Sequence, residues 1–255
     1  MDCRVMGIVN VTPDSFSDGG KYFRPDEAVR RARNLAAEGA EIIDLGGEST
    51  RPGAVPVGWE EEWSRIEPVI RGLASFARGR FALSVDTYHP ETAERAVEAG
   101  ANIVNCVYAA PVAEMLPICA RRNAELVIPF RIPGSVPAES GDALTEIPKT
   151  DVPLYLDPMI GFGTTREDDL SLLGSVPTMS KLGRVLIGAS RKRIVKKLTG
   201  EKVAGKNVGG SVGVAIWAAV HGASVVRVHD VGETIQALKV YAACDEAVSA
   251  NCHLG

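Results

Sequence analysis

Cys-x-x-Cys pairs, apolar runs of membrane-spanning length and an excess of basic charge are all missing from this sequence of 255 residues. Its five cysteines are an odd number with no Cys-x-x-Cys spacing, which argues against a disulfide framework and a zinc ribbon. They read as reduced thiols, as expected of a cytoplasmic protein. Lys and Arg total 28 against 32 Asp and Glu, a formal charge of −4, so the chain is not a highly basic nucleic-acid binder. With 45% hydrophobic and 24% charged residues it is neither disordered nor collagen-like. The opening MDCRVMGIVNVTPDSF has no basic stretch followed by an apolar run and a small-residue cleavage site, so no targeting segment is expected. The longest uncharged stretch, 207–226, has the length of a membrane span of about 20 residues. Gly209, Gly210, Ser211, Gly213, His221, Gly222 and Ser224 interrupt it, and it reads instead as a buried helix, a turn and a buried strand. The one Gly-x-Ser-x-Gly match, Gly209 to Gly213, falls within the expected buried helix and not at a strand-to-helix turn, and Cys252-His253 is an isolated pair near the C-terminus, so neither suggests a side-chain nucleophile.

What is present is a repeat. Short β-rich apolar runs fall at 5–11, 41–47, 81–87, 102–107, 125–130, 154–158, 184–190 and 225–230. They are continuous rather than alternating, as in parallel strands buried on both faces. Helical patterns lie between them at 25–38, 59–76, 90–99 and 113–122, and Gly39, Gly100 and Gly222 are placed to end helices in a left-handed cap. Eight strands alternating with helices over this length predict an α/β fold, a single (β/α)8 TIM barrel formed by residues 1–255, with a doubly wound open sheet as the alternative. Between 130 and 154 the sequence RIPGSVPAESGDALTEIPKTDVP is too rich in Pro and Gly for a full helix. The fifth barrel helix is therefore expected to be short or missing.

Barrel active sites sit at the C-terminal ends of the strands. Those ends carry Asn10 before TPDSFSDGG, Asp44 before GGESTRPG, Asp86, Asn105, Asp157, Ser190-Arg191-Lys192, and Arg227 with His229. Only the fifth, ending VIPF, offers no polar group. Charge on apolar strands is costly unless it is paired or liganded, so this set reads as a site. Asp86 and Asp157 are acceptors suited to an amino-pyrimidinone edge with adjacent N–H donors, and Asn105 suits a mixed edge. Asp86 could instead cap the helix after it, and Asp157 could be a turn residue. Arg51 in its Gly-rich loop, with Arg227 and His229 two residues apart on one strand face, points to an anion such as phosphate. His229 beside Asp230 could also be a satisfied structural histidine, and His89, His221 and His253 read as structural or surface residues.

In these motifs the sequence resembles the dihydropteroate synthases. MGIVNVTPDSFSDGG and EGAEIIDLGGESTRPGA are similar to that family's two long loops with their strands. SVDT, ANIVN, LDP with GFG, IGASRK and VRVHDV match its later strand ends in the same order. The resemblance implies condensation of 6-hydroxymethyl-7,8-dihydropterin diphosphate with p-aminobenzoate, releasing pyrophosphate, by a cytoplasmic homodimer that needs Mg²⁺ and contacts neither nucleic acid nor membrane. It implies that Asp86, Asn105, Asp157 and Lys192 hold the pterin. Asn10, Arg51, Arg227 and His229 would take the diphosphate, with Asn10 also helping to bind Mg²⁺. Phe16, Thr50, Pro52, Phe162, Ser190 and Arg193 would form the p-aminobenzoate pocket. Catalysis would fall to Asp86, Asp157, Lys192, Arg227 and His229.

Departures from the family pattern are also visible. Asn105-Cys106 stands where the family has Asn-Asp, and Ile128-Pro129-Phe130-Arg131 stands in place of a His- and Met-containing run. Thr164 follows GFG in place of Lys, and Arg193 replaces a Ser. Arg193 could pair with a carboxylate or mark a different second substrate. Two other readings follow: a noncatalytic or altered-substrate pterin-binding paralogue, and a methyltetrahydrofolate-dependent methyltransferase.

Overall fold

The computed structural model describes residues 2–12, 25–48, 55–137, 140–201, 203 and 205–252. Eight parallel strands close into a barrel in sequence order. They are β1 (Arg4–Asn10), β2 (Ile42–Gly46), β3 (Ala82–Asp86), β4 (Ile103–Asn105), β5 (Glu125–Pro129), β6 (Leu154–Asp157), β7 (Arg184–Ile187) and β8 (Val225–Val228). The helices are α1 (Pro25–Glu38), α2 (Trp59–Ala77), α3 (Pro90–Ala99), α4 (Val112–Arg122), α5 (Arg166–Gly174), α6 (Val176–Met179), α7 (Arg193–Thr199), α8 (Val208–Val220) and α9 (Val231–Cys252). Both α5 and α6 follow β6. Among the described residues no helix connects β5 to β6, so the expected gap in the fifth unit is real. An isolated β-bridge, Phe130 to Leu144, holds the segment beside the end of β5. The closed order also removes the open-sheet alternative.

Local chemistry explains the alternation. Each strand is apolar on both faces because one looks into the barrel and the other onto helices; all five residues of β2 are buried. Helices present a stripe: Ala28, Ala32 and Leu35 on α1, and Trp63, Ile66, Ile70, Leu73 and Ala77 on α2. Pro90 opens α3, and Gly100, at φ 115°, closes it with its N–H on the Ala96 and Val97 carbonyls. Gly39 and Gly222 take the same left-handed conformation.

The core has two parts. Met6, Ile42, Ile103, Val127, Tyr155, Leu186 and Val225 fill the barrel interior, and a larger cluster lies between strands and helices. Below the inner layer Tyr155 is flanked by Arg184, whose guanidinium lies 4.0 Å from its ring centre. Glu125 accepts from Arg184 at 2.6 Å and from the Tyr155 hydroxyl at 3.1 Å. The N-terminal end is thus sealed by a charged plug, leaving the other end for the polar strand termini. No described helix is long and apolar enough to cross a membrane.

One close approach fixes the mouth to its outer helix. A Cβ on Gly47 would meet the Glu62 carbonyl and the Ile66 Cδ1, each at 2.9 Å. Neither the helix backbone nor a fully buried Ile can retreat freely, and overpacking of this kind costs about 2 kcal/mol. Gly47→Ala is expected to lower Tm by several degrees in a thermal melt; an unchanged Tm would show that α2 yields.

Candidate active site

Register brings the polar strand ends to one rim. Asn10, Gly46, Asp86 and Asn105 pair successively across β1 to β4, and Asp44 lies one inward-facing step lower, beside Ser84. At the centre stands Arg227 from β8. Its Nε donates to Asp44 Oδ2 and one Nη donates to Asp86 Oδ2, both at 2.6 Å. Asp44 Oδ2 accepts a second bond, from Asn105 Nδ2 at 3.1 Å. Burial opposes the Arg227 charge, but Asp44 and Asp86 outweigh it and hold the guanidinium more firmly protonated than usual. Burial pushes the Asp86 carboxyl up to about 7 against the downward pull of Arg227, with Asp44 adding to the rise.

Around this guanidinium four buried acceptors have no hydrogen-bond partner among the described residues: Asp44 Oδ1, Asp86 Oδ1, Asn105 Oδ1 and Ser84 Oγ. Native interiors rarely leave such atoms unpaired, so a group of them in a barrel mouth marks a place for N–H donors from a ligand. Asp86 does not cap α3, whose N-cap is His89, so the capping alternative is removed. Asp44, noted in the sequence only as a rim residue, is the missed member. Its signal was a carboxylate within IIDLG, a wholly buried run.

Asp157 at the end of β6 does form a turn, its Oδ1 accepting from the Met159 N–H at 2.7 Å. It remains buried, and burial raises its pKa while Lys192 lowers it. Lys192, just ahead of α7, donates to the Ile160 carbonyl at 2.7 Å and sits 4.4 Å from the centre of the Phe162 ring. Burial brings its pKa down to about 8, with Asp157 resisting. The His229 N–H and Nδ1 both meet Ser190 Oγ, at 3.2 and 3.1 Å, and the neighbouring Asp230 is taken by Arg191. Arg193 donates to the Thr164 carbonyl and lies 4.0 Å from Asp169, so it is tied to the loop after β6. His221 packs on Trp217, and His89 sits 3.5 Å from Glu48, as structural histidines would.

Phe16, Thr50, Arg51, Pro52 and His253 lie outside the described residues. The fifth strand end does contribute charge, contrary to expectation: Arg131, one residue past the VIPF run, is buried. A cavity of about 730 Å³ lies at the opposite end of the barrel, lined by Arg4, Glu41, Arg80 and Asn102 among others. It gathers none of the unpartnered acceptors, so the chemistry is assigned to the mouth.

Comparison with known proteins identifies the family. A family profile described as pterin binding enzyme matches residues 6–149 and 144–229. The chain is 38% identical over 267 residues to the dihydropteroate synthase of Mycobacterium leprae, covering 94% of this chain and 93% of that protein. It is 38% identical to a probable bifunctional folylpolyglutamate synthase/dihydropteroate synthase of Haloferax volcanii, spanning only 30% of that longer protein and 92% of itself. Among solved structures, Xanthomonas albilineans dihydropteroate synthase with 4-aminobenzoic acid superposes with a TM-score of 0.82 at 39% identity, covering 95% of this chain and 93% of that one.

Removing one partner of a buried ion pair leaves the other charge uncompensated, at a cost of about 3 kcal/mol or more. Asp44→Ala is therefore expected to lower unfolding free energy by about that amount, and Asp44→Asn by less, in denaturant titrations. Equal stability of Asp44→Ala and the parent would show that Asp44 does not hold Arg227.

Proposed function

The chain belongs to the pterin-binding enzymes and, within them, to the dihydropteroate synthases, and from that premise we propose that it makes 7,8-dihydropteroate. As one barrel domain it would join 6-hydroxymethyl-7,8-dihydropterin diphosphate to p-aminobenzoate and release pyrophosphate. The observation that carries this reading is the cluster of unpartnered acceptors around Arg227. A pterin edge offers adjacent N–H donors, which Asp86, Asn105 and Asp157 are suited to accept, and Lys192 can donate to a ring carbonyl. Phosphate oxygens fall to Asn10, Arg51, His229 and the remaining Nη of Arg227. Phe16, Thr50, Pro52, Phe162, Ser190 and Arg193 are assigned to the p-aminobenzoate side.

Among the described residues no three His, Cys, Asp or Glu side chains group as a metal nest. Mg²⁺ binds largely through water and substrate phosphate, so the single amide oxygen of Asn10 fits an ion that arrives with the diphosphate. When bound, it would neutralise charge on the leaving group. This chain's own residues do the rest. The bond from the exocyclic methylene to the diphosphate oxygen breaks with its electron pair leaving on oxygen. Positive charge spreads into the pterin, where Asp86 and Asp157 favour it electrostatically. The arylamine, held beside the methylene, forms the new C–N bond and loses a proton. No side chain need act as nucleophile.

Two further assignments accompany this reading. Val220, Val240 and Val248 on α8 and α9 are exposed, which suits a homodimer that covers these helices. The unpaired cysteines at 3, 106, 119 and 244 fit a reducing cytoplasm.

Pyrophosphate release from the pterin diphosphate, dependent on p-aminobenzoate, is the direct test; tight pterin binding with no release at any Mg²⁺ concentration would favour the noncatalytic paralogue. The titrations add a second test. Below pH about 7 Asp86 takes up a proton and loses its accepting charge, and above about 8 Lys192 loses its donor charge. Pterin affinity measured by calorimetry is therefore expected to peak between these values, and Asp86→Asn to bind weakly and without the acid limb. A flat profile in the parent would contradict these roles.

A further inference from the structure

The segment that takes the place of a fifth helix holds a buried guanidinium with an unusual set of partners. Arg131, 5% exposed, makes no hydrogen bond to a carboxylate among the described residues. Its Nε donates to the Pro158 carbonyl at 3.1 Å, Nη1 to the Ser140 carbonyl and Nη2 to the Phe162 carbonyl at 3.4 Å. Burial works against its charge, while Asp157 and, less strongly, Asp168, Asp169 and Asp142 support it. Two of its three acceptors belong to the turn after β6. That turn carries the Ile160 carbonyl bonded by Lys192 and the Phe162 ring beneath the Lys192 ammonium. Gly141 completes the seat: at φ +102°, its added Cβ would lie 2.5 Å from the Phe162 carbonyl oxygen. The other side of the turn is fixed independently, since Asp169 accepts from the Gly161 N–H at 2.8 Å and from the Thr164 hydroxyl at 2.6 Å.

We propose that Arg131 is a positioning residue of the substrate site, which sets the Pro158–Phe162 turn and through it the Phe162 ring and the Lys192 ammonium. A planar fork can meet three carbonyls in three directions, which a single ammonium cannot. In this chain one side chain thus performs the bracing that a barrel helix would supply through packing. The inference rests on the reading that Phe162 and Lys192 face the substrates.

A double-mutant cycle tests it, because residues acting through one element lose affinity non-additively. The probe is 6-hydroxymethyl-7,8-dihydropterin diphosphate, with Kd from calorimetry and Tm measured in parallel. Arg131→Met is expected to weaken binding about tenfold, since small displacements of positioning groups carry losses of that order or more. In a Phe162→Leu background the same change is expected to cost no more than about threefold. Arg131→Lys keeps the charge and reaches one carbonyl, so it is expected to fold yet bind about as weakly as Arg131→Met; if Arg131→Met does not fold, this variant decides alone. Parent-like binding by Arg131→Lys, or losses that multiply in full in the double variant, would overturn the proposal. A parent protein that fails to bind the pterin diphosphate would instead overturn the functional reading beneath it.

Discussion

The contact on which the mouth of this barrel depends is the guanidinium of Arg227 held by two carboxylates from a neighbouring pair of strands that does not adjoin its own. Asp44 on β2 and Asp86 on β3 meet a side chain from β8, and Asn105 from β4 leans on the same Asp44 oxygen. One cation thereby ties the end of β8 to three consecutive strand ends across the mouth. Two negative groups this close in a dry interior repel one another, and without the cation between them at least one would be protonated. With it, both carboxylates turn one oxygen inward to the guanidinium and keep the other unpartnered.

The two ends of the barrel handle charge in opposite ways. At the N-terminal end Arg4, Glu125, Tyr155 and Arg184 bond to one another below an apolar layer, with one Arg184 Nη left unpartnered among the described residues. At the C-terminal end the partnering is incomplete by comparison. Buried polar atoms without partners destabilise a fold, so the four that gather around Asp44, Ser84, Asp86 and Asn105 mark a surface suited to completion by a ligand.

Lys192 depends on a different support. Its neighbours are a carbonyl and an aromatic ring on the turn after β6, and that turn is pinned from one side by Asp169 and from the other by Arg131. The barrel therefore loses a helix without losing the position of this turn. Packing of a helix against two strands and hydrogen bonding by a buried guanidinium are different interactions with the same mechanical consequence.

Much of this was legible in the residues themselves. Continuous apolar runs, glycine caps and a Pro-rich gap specify the number of strands and the missing helix, because burial on both faces and backbone stiffness act locally. Asp86, Asn105, Asp157, Lys192, Arg227 and His229 were visible as polar groups on apolar strands, for which a core has no use unless they are paired or liganded. Which of them pair is not local. Asp44 and Arg227 are 183 residues apart and meet only because the barrel closes. Arg131 follows a strand end that offers nothing polar, and its bonds are all to backbone carbonyls, which any sequence can supply. Residue chemistry and periodicity thus determined the barrel and most of the polar groups at its mouth. Closure of the sheet decided the partners, because hydrogen bonds depend on angstrom-scale placement that no spacing along the chain encodes.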